Sequence, residues 1–391
     1  MLIKNSLDEM KKREISLSVI KSIIDNNGRN SIYDLTGLSG GFLATSDDLS
    51  LLETYVGPAI FEENLQNLGK DHLGGEKILA VNRTSSGILA TILTIVGENT
   101  EVIHFLPEFP AHPSIPRSCK LVGAKYSEFE NILDFKNNFS DNVSLVVITG
   151  STMDHKVLNE EDFKSAIKVA KDNNIPVLVD DASGARLRTA IYSQSKATDL
   201  GADLVVTSTD KLMMGPRGGL MAGNSELINQ IKTKAHQFGL EAQPPCILAM
   251  VKGLENYRED DLKNSLSKKE ELINLVNREF QMFEETPTGI KVSEKSLEEE
   301  ILLNNYEINS KISSRDLCFL WAMILLKDQN IITIPVVSMP GASATVRFDL
   351  ASNDAKELDI NNLYNKIKKS FESLLKIIDN EDLAKEILFS I

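Results

Sequence analysis

Three cysteines in 391 residues, Cys119, Cys246 and Cys318, are too scattered to form a CxxC pair, which argues against a structural zinc site and against a disulfide framework. Cysteine used this sparingly fits a reducing compartment, and the cytoplasm is the expected location. Long apolar runs are also scarce. The longest, "LCFLWAMILL" from Leu317 to Leu326, covers about ten residues where a membrane crossing needs about twenty, so it is expected to be a buried helix. The opening "MLIKNSLDEMKKREISLSVIKSII" lacks an apolar signal core and a small-residue cleavage site, and reads as an amphipathic helix that stays in the mature protein. Positive charge is in deficit as well: 42 Lys and Arg against 56 Asp and Glu leave a formal net charge of −14. Such a surface repels a phosphate backbone, so tRNA binding gains no support from the overall charge and would need a local basic patch. GxGxxG and the Walker A lysine are both missing, which weakens those two routes to nucleotide binding.

What the chain does contain is a series of short apolar segments alternating with helical patterns: "ILAV", "VIHF", "LVVIT" (Leu145 to Thr149), "VLVD" (Val177 to Asp180), "LVVT" (Leu204 to Thr207) and "GLMAG". Strands buried on both faces of a parallel sheet have this composition. Phe163, Ala166, Ile167 and Ala170 recur at i, i+3, i+4 and i+7, one face of a helix lying between two of them. The alternation predicts a layered α/β domain with crossover connections. Near Leu254 the pattern changes to a long amphipathic helix, "DLKNSLSKKEELINLVNREFQMF", then short strands, an apolar helix capped by Ser313 and a terminal helix. The expected organisation is an N-terminal helix and loop over 1–50, a large α/β domain over 51–253 and a small α+β domain over 254–391, joined by the N-terminal helix.

Ligands of open α/β sheets bind beyond the carboxyl ends of the strands. After "ILAV", Thr84, Ser85, Ser86 and Gly87 begin a helix whose amides and dipole suit a phosphate, though a plain helix cap has the same composition. After "VLVD", Asp180 is placed to hold a metal, fix a ribose or pair with a protonated ring nitrogen, while Asp181 reads as a cap of the next turn. After "LVVT" comes "STDKLMMGPRGG", Ser208 to Gly219. A lysine ending a buried strand loses hydration, which frees its amine to attack a carbonyl; the alternative is a lysine snorkelling to the surface. Gly215, Pro216, Gly218 and Gly219 favour the first reading by removing bulk around the amine. A phosphate cup, an acid and a lysine in a small-residue turn together meet the needs of pyridoxal phosphate.

The order "TSSG", "VDDAS", "STDKLMMGPRGG" resembles the fold-type I, aspartate aminotransferase-like superfamily of pyridoxal-phosphate enzymes. Within it, "LTGLSGGF", "VNRTSSGILA" and "GADLVVTSTDKLMMGPRGGLMAG" are similar to bacterial selenocysteine synthase, L-seryl-tRNA(Sec) selenium transferase, and its archaeal relatives. The resemblance implies a mainly parallel sheet in the large domain, with pyridoxal 5′-phosphate held by Lys211 as a Schiff base. It implies that Lys211 shuttles protons at the substrate Cα, that Asp180 pairs with the pyridinium and that Ala182 lies against the ring. Ser85, Ser86 and Gly87 would bind the phosphate, with Ser208 adding a hydroxyl. Arg217, where the synthase usually has Gln, would reach the phosphate or a neighbouring subunit.

The same resemblance makes His112 of "HFLPEFPAHPSIPRS" the candidate for stacking on the cofactor. It places His155, with Ser151 and Asp154 of "ITGSTMDHK", near the ring hydroxyl or substrate, a simple loop residue being the alternative for His155. Arg347 of "GASATVRFDL" would bind a substrate carboxylate, against the alternative of an exposed strand arginine, and Gly40 and Gly41 are assigned to the substrate side. His104 reads as a core histidine with its polar atoms satisfied, and His72 and His236 carry no signal. Cys246 and Cys318 lie off any evident catalytic loop, which disfavours a cysteine desulfurase. The implied activity is β-elimination or β-replacement on an amino acid or aminoacyl substrate by a homodimer with shared active sites. An aminotransferase or C–S lyase on a free amino acid uses the same scaffold, and a non-catalytic tRNA-binding or scaffold protein that keeps the fold is the reading of a different class.

Overall fold

The computed structural model describes residues 1–38 and 40–390. The chain divides into two compact units, one running from Gly40 to Asp260 and the other combining the N-terminal segment with the residues from Asp261 onward.

The Gly40–Asp260 unit is built on a seven-stranded sheet: β1 (Lys77–Val81), β2 (Glu101–Phe105), β3 (Lys125–Phe129), β4 (Val143–Thr149), β5 (Val177–Asp180), β6 (Leu204–Ser208) and β7 (Gly219–Gly223). Their spatial order is β1-β7-β6-β5-β4-β2-β3. All neighbours are parallel except at β7, which runs antiparallel to both β1 and β6. Six of the strands are buried along most of their length because helices cover both faces. Ile78, Ile103, Val146, Val179 and Val205 face one apolar cluster, and Leu79, Val102, Val147, Leu178 and Val206 face the other. The period-2 alternation thus feeds two cores, and the strands read as continuous apolar runs. "KYSEF", β3, escapes that pattern because it is an edge strand paired only with β2, with its side chains half-buried or exposed.

In the other unit an antiparallel sheet orders Val346–Asp349, Gly289–Val292 and Glu284–Thr286. Its core is the helix Ser314–Gln329, in which every residue from Asp316 to Leu326 is buried. Among the described residues no helix is long and apolar enough to cross a membrane. Ser313 caps this helix reciprocally with Asp316, and the second carboxylate role of Asp316 is to take the amides of Leu2 and Ile3. Tyr33–Asp34 pairs in parallel with Ile331–Ile332. The first 38 residues therefore belong to the fold of the last 130, while residues 40–50 go with the large sheet. The amphipathic stretch expected as one long helix is broken at Asn264. Its main piece is Ser265–Val276, and the Ser265 hydroxyl donates to the Leu262 carbonyl instead of extending the ladder.

Candidate active site

The carboxyl ends of β1, β2, β4, β5 and β6 share one edge of the sheet, and a cleft opens there. Thr84 enters it from the segment after β1, His112 from that after β2, and Thr149 and Ser151 from the end of β4. Asp180 and Ala182 come from β5 and Lys211 from the segment after β6.

The turn carrying Lys211 is closed by Thr209, whose amide donates to the Gly218 carbonyl at 3.0 Å and whose hydroxyl donates to the Pro216 carbonyl at 2.7 Å. Gly40 packs on this turn so tightly that a Cβ there would stand 2.4 Å from the Gly215 oxygen and 2.8 Å from the Asp210 Cα. A Cβ on Gly41 would approach the Met214 methyl at 3.0 Å. Lys211 itself is half-buried. The Ser208 hydroxyl donates to Asp210 at 2.6 Å, so it is engaged within the turn.

Asp180 is buried, and its Oδ1 has no hydrogen-bond partner among the described residues. Burial pushes its carboxyl up to about 6, the Lys211 cation opposes the rise and the Asp181 charge adds to it. The folded cofactor-free chain therefore holds this proton to higher pH than the unfolded chain does. Stability is full below the ordinary pKa of 3.8 and declines as pH rises through about 6. Asp180→Asn is expected to raise the stability of the cofactor-free protein by ~3 kcal/mol at about pH 8, with the gap closing towards about pH 4. Melting curves across that range check it, and a gap independent of pH would assign the titration elsewhere.

The helix Thr84–Ile95 starts without a side-chain cap. The amides of Ser86 and Gly87 turn back to the Arg83 carbonyl at 2.9 and 3.2 Å, whereas those of Thr84 and Ser85 meet no acceptor among the described residues. Gly219 makes room for this helix start, since a Cβ on it would lie 2.5 Å from the Arg83 carbonyl carbon and 2.6 Å from the Thr84 nitrogen. Gly87 faces the sheet, where a Cβ would meet the Met221 sulfur at 2.7 Å. The lack of a side chain there permits close packing, and the open amide donors belong to Thr84 and Ser85.

His112 Nδ1 lies 2.7 Å from the Ser114 hydroxyl. Surrounding protein, Lys211, Arg83 and Arg117 all hold its imidazole below the usual pKa. His155 is buried with φ +64° and is not among the cleft-lining side chains, whereas Ser151, Thr152 and Met153 of the same loop are. Arg217 is exposed. Arg347, in the other unit, is buried rather than exposed, and its Nη2 donates to the Thr36 carbonyl at 2.8 Å.

Two arginines without a sequence signal brace the site. Arg186, fully buried, donates to the carbonyls of Ala182 and Ser208 and to the Thr207 hydroxyl, tying the exit of β5 to that of β6. Its Nη1 meets His72 Nε2 at 3.1 Å, and burial, then Arg186 and Lys196, lower the His72 pKa to about 3, so its ring is a neutral acceptor. Arg188 binds Asp181 through two contacts, Nη2 to Oδ2 at 2.5 Å and Nε to Oδ1 at 3.2 Å, and lies over the Phe163 ring. Asp181 is thus half of a buried ion pair rather than only a turn cap. "GARLRTAI" hides this because its basic residues look like the wet face of a helix, and their partners lie on other segments.

Comparison with known proteins places the chain. A family model of L-seryl-tRNA selenium transferase matches residues 64–317, and a model of the UPF0425 C-terminal domain matches residues 279–359. A UPF0425 pyridoxal phosphate-dependent protein of Methanothermobacter thermautotrophicus is 49% identical over 392 residues, covering 99% of this chain and 100% of the relative. One from Methanosphaera stadtmanae is 49% identical over 378 residues, covering 96% and 97%. The chain belongs to the UPF0425 family of pyridoxal phosphate-dependent proteins. The transferase match spans all seven strands of the UPF0425 large sheet, and the C-terminal match spans the antiparallel sheet and its buried helix. Among solved structures, L-threonine transaldolase from Pseudomonas fluorescens superposes with a TM-score of 0.66 at 13% identity, covering 96% of this chain and 92% of that one. At that identity the likeness concerns the fold, which is aspartate aminotransferase-like, fold type I.

Proposed function

We propose that this protein uses pyridoxal 5′-phosphate to labilise a bond at Cα or Cβ of an amino acid or aminoacyl substrate, with β-elimination or β-replacement as its reaction. The observation that carries the reading is the buried, unpartnered Oδ1 of Asp180, on the same cleft as Lys211 and an uncapped helix start. These residues fit the cofactor. Asp180 would hold the ring N–H, the Thr84 and Ser85 amides with the Thr84, Ser85 and Ser86 hydroxyls would hold the phosphate, and Lys211 would hold the aldehyde carbon. The bound cofactor supplies an electron sink for the pair released at the substrate Cα.

The remaining chemistry falls to the chain. Lys211 Nζ takes and returns the proton at the substrate Cα, from a half-buried turn on the same cleft as Asp180. The raised Asp180 carboxyl is stabilised as an anion once a cationic N–H faces it. His112, held below the usual imidazole pKa by burial and then by its basic neighbours, is the flat group proposed to cover the ring, with Ala182 leaving space opposite. Arg347 is proposed for the substrate carboxylate on the strength of its planar fork, and Gly40 and Gly41 for the rim of the lysine turn. The transferase-family match supports a seryl-type substrate, while a net charge of −14 favours a small one over extended RNA docking. A cytoplasmic homodimer completes the reading.

The test is a screen of amino acids against the cofactor-loaded protein, read by absorbance and by product. Elimination releases a keto acid and ammonia and leaves the cofactor as aldehyde. Conversion of the cofactor to its amine form would replace this reading with an aminotransferase. Failure of borohydride to fix any cofactor to the protein would favour the scaffold reading.

A further inference from the structure

A line of polar side chains runs from the cleft into the sheet and out to its edge strand. Thr149, at the end of β4 and lining the cleft, lies with its hydroxyl oxygen 2.8 Å from His104 Nε2. His104, on β2 and fully buried, has its other ring nitrogen 2.8 Å from the Tyr126 hydroxyl on β3. Tyr126 donates at 2.6 Å to Glu128 Oε2. We propose that Glu128, Tyr126 and His104 fix the Thr149 hydroxyl as a pure hydrogen-bond acceptor towards the cleft, so that the ligand group facing it must be a hydrogen-bond donor.

The polarity follows from donor and acceptor chemistry, link by link. An ionised carboxylate only accepts, so the Tyr126 proton points to Glu128. Tyr126 oxygen then receives the His104 Nδ1–H. A neutral imidazole with Nδ1 protonated has an acceptor at Nε2, and the Thr149 proton is the one available to it. Two further facts agree: burial, then the bond to Glu128, raises the Tyr126 pKa and keeps the phenol protonated, and burial lowers the His104 pKa to about 3, which keeps the imidazole neutral. What reaches the cleft is an oxygen whose own proton is committed elsewhere. Thr149 pairs directly with Asp180 across β4 and β5, so both side chains leave the sheet on the same side. With a ring N–H on Asp180, Thr149 would face the ring hydroxyl, the donor beside it, and would favour its protonated form. The relay's polarity stands on its own, whereas the ligand group rests on the pyridoxal-phosphate reading. His104 and Tyr126 are positioning residues that act through Thr149.

Nitrogen-15 NMR of histidine-labelled, cofactor-free protein tests the relay. His104 is expected as the single neutral Nδ1–H tautomer between about pH 5 and 9, on both sides of the ordinary histidine pKa. Tyr126→Phe, which removes a hydroxyl from a half-buried edge strand, is expected to mix the tautomers. An Nε2–H or doubly protonated His104 overturns the proposal. Adding pyridoxal phosphate then tests the ligand group through the two absorption bands of the protonated and deprotonated ring hydroxyl. Thr149→Val is expected to shift their ratio towards the deprotonated form by roughly three- to tenfold, the range of one net hydrogen bond, and Thr149→Ser is expected to stay at the wild-type ratio. An unchanged ratio in Thr149→Val overturns the ligand assignment. A wild-type protein with no bound-cofactor spectrum instead defeats the pyridoxal-phosphate reading, and the NMR result still decides the relay.

Discussion

Lys211→Ala is expected to abolish the cofactor adduct that borohydride leaves on the wild-type chain, and to lower turnover of the active amino acid by at least ~100-fold, the low end of what a positioned proton-transfer group contributes. The expectation rests on Lys211 being the lysine that lines the cleft beside Asp180. Lys211→Arg separates charge from chemistry. A guanidinium keeps the cation next to Asp180, so folding is preserved, yet it cannot condense with an aldehyde and also leaves no adduct. Peptide mass spectrometry after reduction reads the outcome directly. An adduct mapped to another lysine, or turnover surviving in Lys211→Ala, would sink the assignment.

Arg188→Ala is expected to cost about 3–5 kcal/mol of folding stability, the toll of leaving one member of a buried ion pair without its partner. Arg188 and Asp181 are 0% and 1% exposed. A third guanidinium nitrogen donates to the Ser195 carbonyl at 2.9 Å, and the group covers the Phe163 ring. Gly150 and Gly184 leave the space for Asp181, because a Cβ on either would lie 2.0 Å from its Oδ1. Urea denaturation measures the loss, and the double variant Asp181→Asn, Arg188→Met is expected to recover part of it by removing both charges. Equal losses for Arg188→Met alone and for the double variant would show that packing on Phe163, and not the ion pair, is what matters. The pair also bears on the cleft: Asp181 adjoins Asp180 and raises its pKa, and Arg188 is the cation paired with that neighbouring charge.

Much of the cleft was legible because its residues sit at ends of strands that announce themselves. "VLVD" and "LVVT" are apolar on both faces, so Asp180 and the turn to Lys211 follow at their carboxyl ends. The antiparallel direction of "GLMAG" was not legible, since a strand between two neighbours looks the same in either direction. Arg186 and Arg188 escaped because burial of a guanidinium depends on acceptors gathered from distant segments, such as the Ser208 carbonyl and the Asp181 carboxylate. His104 was readable as a satisfied core side chain, but not as a link, because Tyr126 lies on an edge strand whose mixed composition hides it. That Gly87 must be glycine is a packing matter that "TSSG" does not display, since an added Cβ would meet Met221 from the sheet.

The attachment of Leu2 and Ile3 to Asp316, and of Tyr33–Asp34 to Ile331–Ile332, sets an order of events during synthesis. At roughly 5–20 residues per second, these early residues emerge about fifteen seconds to a minute before their partners exist. In that interval the Gly40–Asp260 sheet has all its strands available and can close without them. The helix Ser6–Asn27 thus waits with Val19 and the isoleucines beside it uncovered until the residues from Asp261 onward are made.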